Sequence, residues 1–252
     1  MSLPQKRLRF FRASLPRLPL LASLLAGCGT PDPEIVQASA ADHGKALFSD
    51  PTLTATGANA YSCATCHSTT QSGLPFTGAP VSGVTRRPSY WGGQEVELLR
   101  SINNCLYYFM LENAPVEATD ERAEALFAYL DSLPSSPEQE KAWPFTIEVQ
   151  IKPIANGQSS TGKALYEEAC QSCHGAPKTG ENRLVPRAPI LPDQTLAQHP
   201  LGSYTAEERR LVFVQKTRHG GFLGYGGQMP PFSKELLSDE ALGDILAYMG
   251  VP

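Results

Sequence analysis

Near the C-terminus, apolar residues recur with helical spacing. Leu242, Ile245, Leu246 and Met249 fall at i, i+3, i+4 and i+7, with polar residues between them. Ser238 precedes the run, and Asp239 and Glu240 follow it, which suits an N-cap and the positive end of a helix dipole. The same pattern occurs 119 positions earlier: Ala123, Leu126, Phe127 and Leu130, with Thr119 as the candidate cap. The register holds without a gap from Met110 against Met229 to Tyr129 against Tyr248. Upstream, GKALF at 44–48 is matched by GKALY at 162–166, and both read as helix starts. The chain therefore reads as a duplication with two copies of one helical unit.

Two other stretches have different patterns. Residues 1–27 combine Lys6, Arg7, Arg9, Arg12 and Arg17 with the short apolar run LPLLASLLAG, about half of the ~18 residues a membrane span needs. This is the pattern of a signal peptide, and LLAGC at its end resembles the lipobox of bacterial lipoproteins. That resemblance implies cleavage before Cys28, a lipid on Cys28 as the anchor, and a periplasmic, membrane-attached location. Between the copies, a stretch with Pro and Ser at its edges reads as a linker, and the alternation in FTIEVQIK predicts that part of it is extended. The expected organisation is signal peptide 1–27, tether 28–40, first domain 41–134, linker 135–156 and second domain 157–252.

Composition adds two points. Hydrophobic residues make up 41% and charged residues 18%, which is the profile of a globular protein. The full chain carries a net charge of −4; without residues 1–27, 16 basic residues face 25 acidic ones, giving −9. An acidic surface disfavours nucleic acid and favours redox partner proteins with basic patches.

The cysteines carry the chemistry. Of six, Cys63, Cys66, Cys170 and Cys173 lie in CATCH (63–67) and CQSCH (170–174). C-x-x-C-H is the attachment signature of c-type haem. Two thiols one helical turn apart can join the two vinyl groups of one haem, and the adjacent histidine, His67 or His174, can ligate its iron. Zinc knuckles would lie closer together, and a thioredoxin-like motif needs a βαβ setting that the pattern lacks. Two haem c groups are thus expected, one per copy.

These motifs and the flanking helices resemble bacterial c-type cytochromes, which implies an all-α fold of two tandem cytochrome c domains joined by a partly extended linker. The stretch GGFLGYGGQMPPF (220–232) resembles the distal loop of class I cytochromes c, implying Met229 as the sixth ligand of the second haem. For the first haem two sulfurs compete. The repeat points to Met110, whereas INNCLYYFM resembles the haem-ligating segment of thiosulfate dehydrogenases and SoxA cytochromes, which implies Cys105 as the ligand and as a candidate catalytic group. The function expected is single-electron transfer. The alternative that the second resemblance implies is an oxidoreductase acting on a small sulfur oxyanion at the first haem. Arg86, Arg87 and Arg100 flank that segment as surface cations, haem-propionate partners or substrate-binding groups. Tyr107, Tyr108 and Phe109 are expected to cover the haem face, and His43, His199 and His219 to be structural.

Overall fold

A computed structural model describes residues 39–70, 77–221, 223 and 226–251. The signal peptide, the lipobox and Cys28 lie outside the described residues. Helices α1 (Ala40–Phe48), α2 (Cys63–Cys66), α3 (Leu98–Met110) and α4 (Glu121–Ser132) are followed by α5 (Ser159–Ala169), α6 (Gln171–His174), α7 (Asp193–Gln198), α8 (Ala206–His219) and α9 (Asp239–Met249). The described residues are all-α, and among them the only β pairing is an isolated bridge between Tyr90 and Glu95. None of these helices is long and apolar enough to cross a membrane.

Two helix crossings organise the molecule, α1 on α4 and α5 on α9. GKAL does not start either helix, contrary to the expectation from its glycine. Ser39 starts α1 in a capping box with Asp42, and α5 begins at Ser159, so Gly44 and Gly162 fall inside their helices. They sit where the helices cross. A methyl on Gly44 would strike the Ala125 carbonyl and come within 2.7 Å of Tyr129 Cβ; one on Gly162 would strike the Asp244 carbonyl and come within 2.9 Å of Tyr248 Cβ. Glycine's cost inside a helix is here offset by close backbone packing. Next to each glycine an aromatic pair fills the crossing, Phe48 with Tyr129 at 5.5 Å and Tyr166 with Tyr248 at 5.8 Å.

Gly162→Ala should therefore destabilise the haem-loaded protein by about 2 kcal/mol through overpacking. Its melting temperature should fall by about 10 °C. An unchanged value in differential scanning calorimetry would contradict this account of the crossing.

Each crossing carries its own apolar core. The first gathers Phe48, Leu106, Met110, Leu126 and Leu130, and the second Tyr166, Phe213, Leu242, Ile245, Leu246 and Met249. Leu242, Ile245 and Leu246 are almost fully buried, as their spacing predicted. Each contributes on the order of 1.5–3 kcal/mol by leaving water. Ser238 caps α9, but α4 is capped by Asp120 rather than Thr119, because the Asp120 carboxylate accepts from the Arg122 amide at 2.9 Å and from its guanidinium as well.

Residues 142–148 pair in no sheet, but the segment is docked. Arg87 Nε donates to the Gln139 carbonyl at 2.9 Å, Thr146 Oγ1 to Glu235 at 2.6 Å, and the Glu148 carbonyl lies 2.7 Å from His219 Nε2. Nearby, the almost fully buried Arg218 donates to the carbonyls of Phe232 and Leu237 and to Asp239, at 3.1, 2.7 and 2.7 Å. Burial alone would raise the Asp239 pKa, but hydrogen bonds from Lys234 and Arg218 outweigh it and hold the carboxyl below its ordinary value.

Candidate haem centres

The first C-x-x-C-H motif forms α2 and the residue after it. Ser62 leads into the turn, its amide held by Thr65 Oγ1 at 3.1 Å, and the His67 amide donates to the Cys63 carbonyl at 2.9 Å. The single turn brings Cys63, Cys66 and His67 to one cavity. His67 Nδ1 lies 2.8 Å from the Ala79 carbonyl, an acceptor, so Nδ1 carries the proton and Nε2 keeps its lone pair. Gly78 closes the ring's other side; a methyl there would strike the imidazole. The second motif repeats the device, with His174 Nδ1 2.8 Å from the Pro189 carbonyl. Burial lowers the pKa of both histidines. A carbonyl that fixes the tautomer and leaves Nε2 free is the usual support of a metal-bound histidine.

The cavity beside His67 encloses about 1340 Å³ of space, open solvent at its mouth included. Helix α3 lies along it and presents Leu98, Ile102, Cys105, Leu106, Phe109 and Met110, a stripe of i, i+3 and i+4 positions. Both candidate sulfurs thus line the cavity, about 7.5 Å apart along the helix axis. They differ in surroundings. Cys105 is central in the stripe, is only partly buried, and is outside the apolar cluster. Met110 ends the helix and is a buried member of the core. The motif's Asn103 exchanges hydrogen bonds with the backbone of Val116, at 3.0 and 2.8 Å, and so fixes α3 in its seat.

Burial pushes every one of these thiols up, Cys63 and Cys170 to about 12 and Cys66 to about 11, with Cys105 higher still. Burial thus favours the protonated thiols before haem binds, and a thiol that ligates iron gives up its proton on binding. Among the described residues, no three His, Cys, Asp or Glu side chains form a cluster that could hold a bare metal ion. An iron already held by a porphyrin needs only one ligand on each face, and His67 with Cys105 or Met110 would be the candidates here. The buried indole Nε1 of Trp143, on the cavity wall, has no hydrogen-bond partner, and Arg87 lies 5.9 Å from the ring centroid. Such a donor fits the carboxylate edge of a haem.

In the second centre, Cys170 and Met229 pack against one apolar cluster. The Met229 carbonyl accepts from the Gly221 amide at 2.6 Å, and a methyl on Gly220 would strike that same carbonyl. Phe222, Gly224 and Tyr225 of the glycine-rich stretch lie outside the described residues.

Residues 157–249 match the family model for cytochrome c oxidase, cbb3-type, subunit III. This part of the chain is a cytochrome c domain. A cytochrome c domain binds haem covalently, and the Cys170, Cys173 and His174 motif lies inside the matched residues. A solved structure, thiosulfate dehydrogenase (TsdBA) from Marichromatium purpuratum in its as-isolated form, is similar at 19% identity with a TM-score of 0.40; the similarity covers 87% of this chain and 48% of that one. The chain thus spans about half the length of that protein. No curated protein sequence matches the chain.

The other expectations meet mixed outcomes. Arg87 is buried, and donates from Nε to Gln139 and from Nη2 to the Pro80 and Ser82 carbonyls. Arg86 is paired with Asp131 and Glu140, and Arg100 with Glu95. Tyr107 and Tyr108 are 59% and 46% exposed and do not line the cavity, whereas Phe109 does, because successive helical residues cannot share one face. His43 pairs with Glu121 at 3.8 Å, His199 Nδ1 meets the Thr195 carbonyl at 2.8 Å, and His219 meets Glu148; none lines the cavity beside His67. Sequence reasoning passes over Trp143 and Phe145 as linker, yet both line that cavity. A signal is available, since Trp143 is one of only two tryptophans in the chain.

Proposed function

We propose that the protein is an exported dihaem cytochrome c that carries single electrons through two covalently bound haems. Support comes from one repeated observation: each C-x-x-C-H turn has its histidine Nδ1 held 2.8 Å from a carbonyl, with Nε2 left to ligate. Each bound haem supplies an iron that accepts and returns one electron. The chain's part is to hold, orient and tune. Cys63, Cys66 and His67 hold the first group, and Cys170, Cys173 and His174 the second. Cys105, at the centre of the α3 stripe, would supply the second protein ligand of the first iron, Met110 packs into the core, and Met229 would do the same for the second iron.

A thiolate at Cys105 lowers the potential of its centre, and a thioether at Met229 raises that of the other. Electrons entering at the first centre therefore run towards the second. The two centres are neighbours: Tyr61, on the wall of the first cavity, lies beside the Cys173 thiol, and Cys173 packs against the first core. In this reading Cys28 carries a lipid that anchors the protein in the periplasm, and the net charge of −9 on the processed chain selects partners with basic patches.

A second reading, oxidation of a sulfur oxyanion at the first centre, draws on Cys105 facing the cavity. The arginines favour the carrier. Arg86 and Arg100 are neutralised by carboxylates, and Arg87 directs its donors at three carbonyls, which leaves a dianion poorly served among the described residues. Stopped-flow mixing of the oxidised protein with thiosulfate tests the choice. The carrier predicts no reduction on the timescale of exchange with a small c-type cytochrome, and reduction within milliseconds would replace it with the enzyme.

A further inference from the structure

The two sulfur-bearing segments touch. Gln228, the residue before Met229, donates from Nε2 to the main-chain oxygen of Phe109, the residue before Met110, at 3.0 Å. That oxygen is among the last four carbonyls of α3, which a helix's own ladder does not use. Pro230 and Pro231, directly after Met229, are buried and line the cavity that holds Cys63, Cys66, His67 and Cys105. One strip of chain, 228–231, therefore presents the candidate ligand of the second centre and walls the first.

The strip is held at its other edge by α8. The Met229 carbonyl takes the Gly221 amide at 2.6 Å, the Phe232 amide donates to Thr217 at 2.9 Å, and Arg218 Nη1 donates to the Phe232 carbonyl at 3.1 Å. Two prolines stiffen what lies between. A stiff strip clamped to α8 on one side and tied to α3 on the other moves with both. We propose that Gln228 is a positioning residue that couples the two ligand sites, so that the seating of α3 over its cavity alters how firmly Met229 is held. The inference rests on the assignment of Met229 and Cys105 as ligands, and coupling of this kind is reciprocal.

Imidazole titration of the oxidised, haem-loaded protein tests it. Imidazole displaces a methionine ligand, so its apparent affinity, read as loss of the near-infrared methionine charge-transfer band, reports how often Met229 is off the iron. Gln228→Leu keeps the bulk and removes the donor; it should raise that affinity about three- to tenfold, the worth of one hydrogen bond. Cys105→Ser, or Cys105→Ala if the serine variant loses its haem, should also change the affinity. In the Gln228→Leu background the same Cys105 change should have a smaller effect than it has alone.

Two results would overturn the coupling. One is no effect of Gln228→Leu; the other is a double variant whose fold-change equals the product of the two singles, the behaviour of independent sites. A wild-type protein without the methionine band would instead overturn the ligand assignment beneath it. The two failures are thus distinguishable.

Discussion

Replacing Cys63 and Cys66 with alanine leaves one covalently bound haem per chain instead of two, and replacing Cys170 and Cys173 gives the same count with the other haem retained. The pyridine haemochrome assay on purified protein, set against protein concentration, reads the number directly. The expectation follows from chemistry, since each haem needs both thiols of its own motif. It follows from packing too. The first cavity opens into a core of Phe48, Leu106, Met110, Leu126 and Leu130. The Cys63/Cys66 double variant leaves that space unfilled, so stability falls by several kcal/mol. A wild-type count of one would contradict the dihaem account.

Met229→Ala should remove the near-infrared methionine band and lower the potential of one haem by on the order of 0.1 V or more, within the ~0.8 V that axial ligands span. Met110→Ala should leave the band intact and cost stability instead, about 2–5 kcal/mol, because Met110 is a buried core residue. Potentiometric titration with optical detection separates the two outcomes. Their contrast matters because the repeat sets Met110 against Met229, while the structure gives them different surroundings. Met229 follows a glycine-rich stretch that packs tightly against its carbonyl, whereas Met110 ends a helix. Two aligned residues have diverged in setting.

What can be read from the sequence follows the range of the interactions. The two C-x-x-C-H motifs are legible because their chemistry lies within one helical turn. The α9 stripe is legible for a similar reason, as helical spacing and a Ser238 cap are local. GKAL is misplaced by sequence because glycine reads as a boundary residue, and only the opposing Ala125 and Asp244 backbones reveal why Gly44 and Gly162 belong mid-helix. Thr119 loses the cap to Asp120 because the Asp carboxylate also engages Arg122, a contact that the match with Ser238 does not suggest.

The least legible features depend on distant partners. By sequence Arg87 is one of three cations flanking the Cys105 segment, yet it is buried against carbonyls from 80, 82 and 139. Trp143 falls in the linker and walls a cavity built mainly from residues more than thirty positions away. Gln228 carries no motif of its own, and its link to Phe109 spans 119 residues. The choice between Cys105 and Met110 is open in sequence because the repeat points to one and the family resemblance to the other, and the proposal of Cys105 draws on the packing of Met110 into the core.

Electron paramagnetic resonance with near-infrared magnetic circular dichroism on the oxidised, haem-loaded protein tests the central claim most directly. Two low-spin centres are expected, one with a thiolate signature that disappears in Cys105→Ala and one with methionine charge transfer that disappears in Met229→Ala. Two methionine-type centres, one of them lost in Met110→Ala and neither in Cys105→Ala, would contradict it.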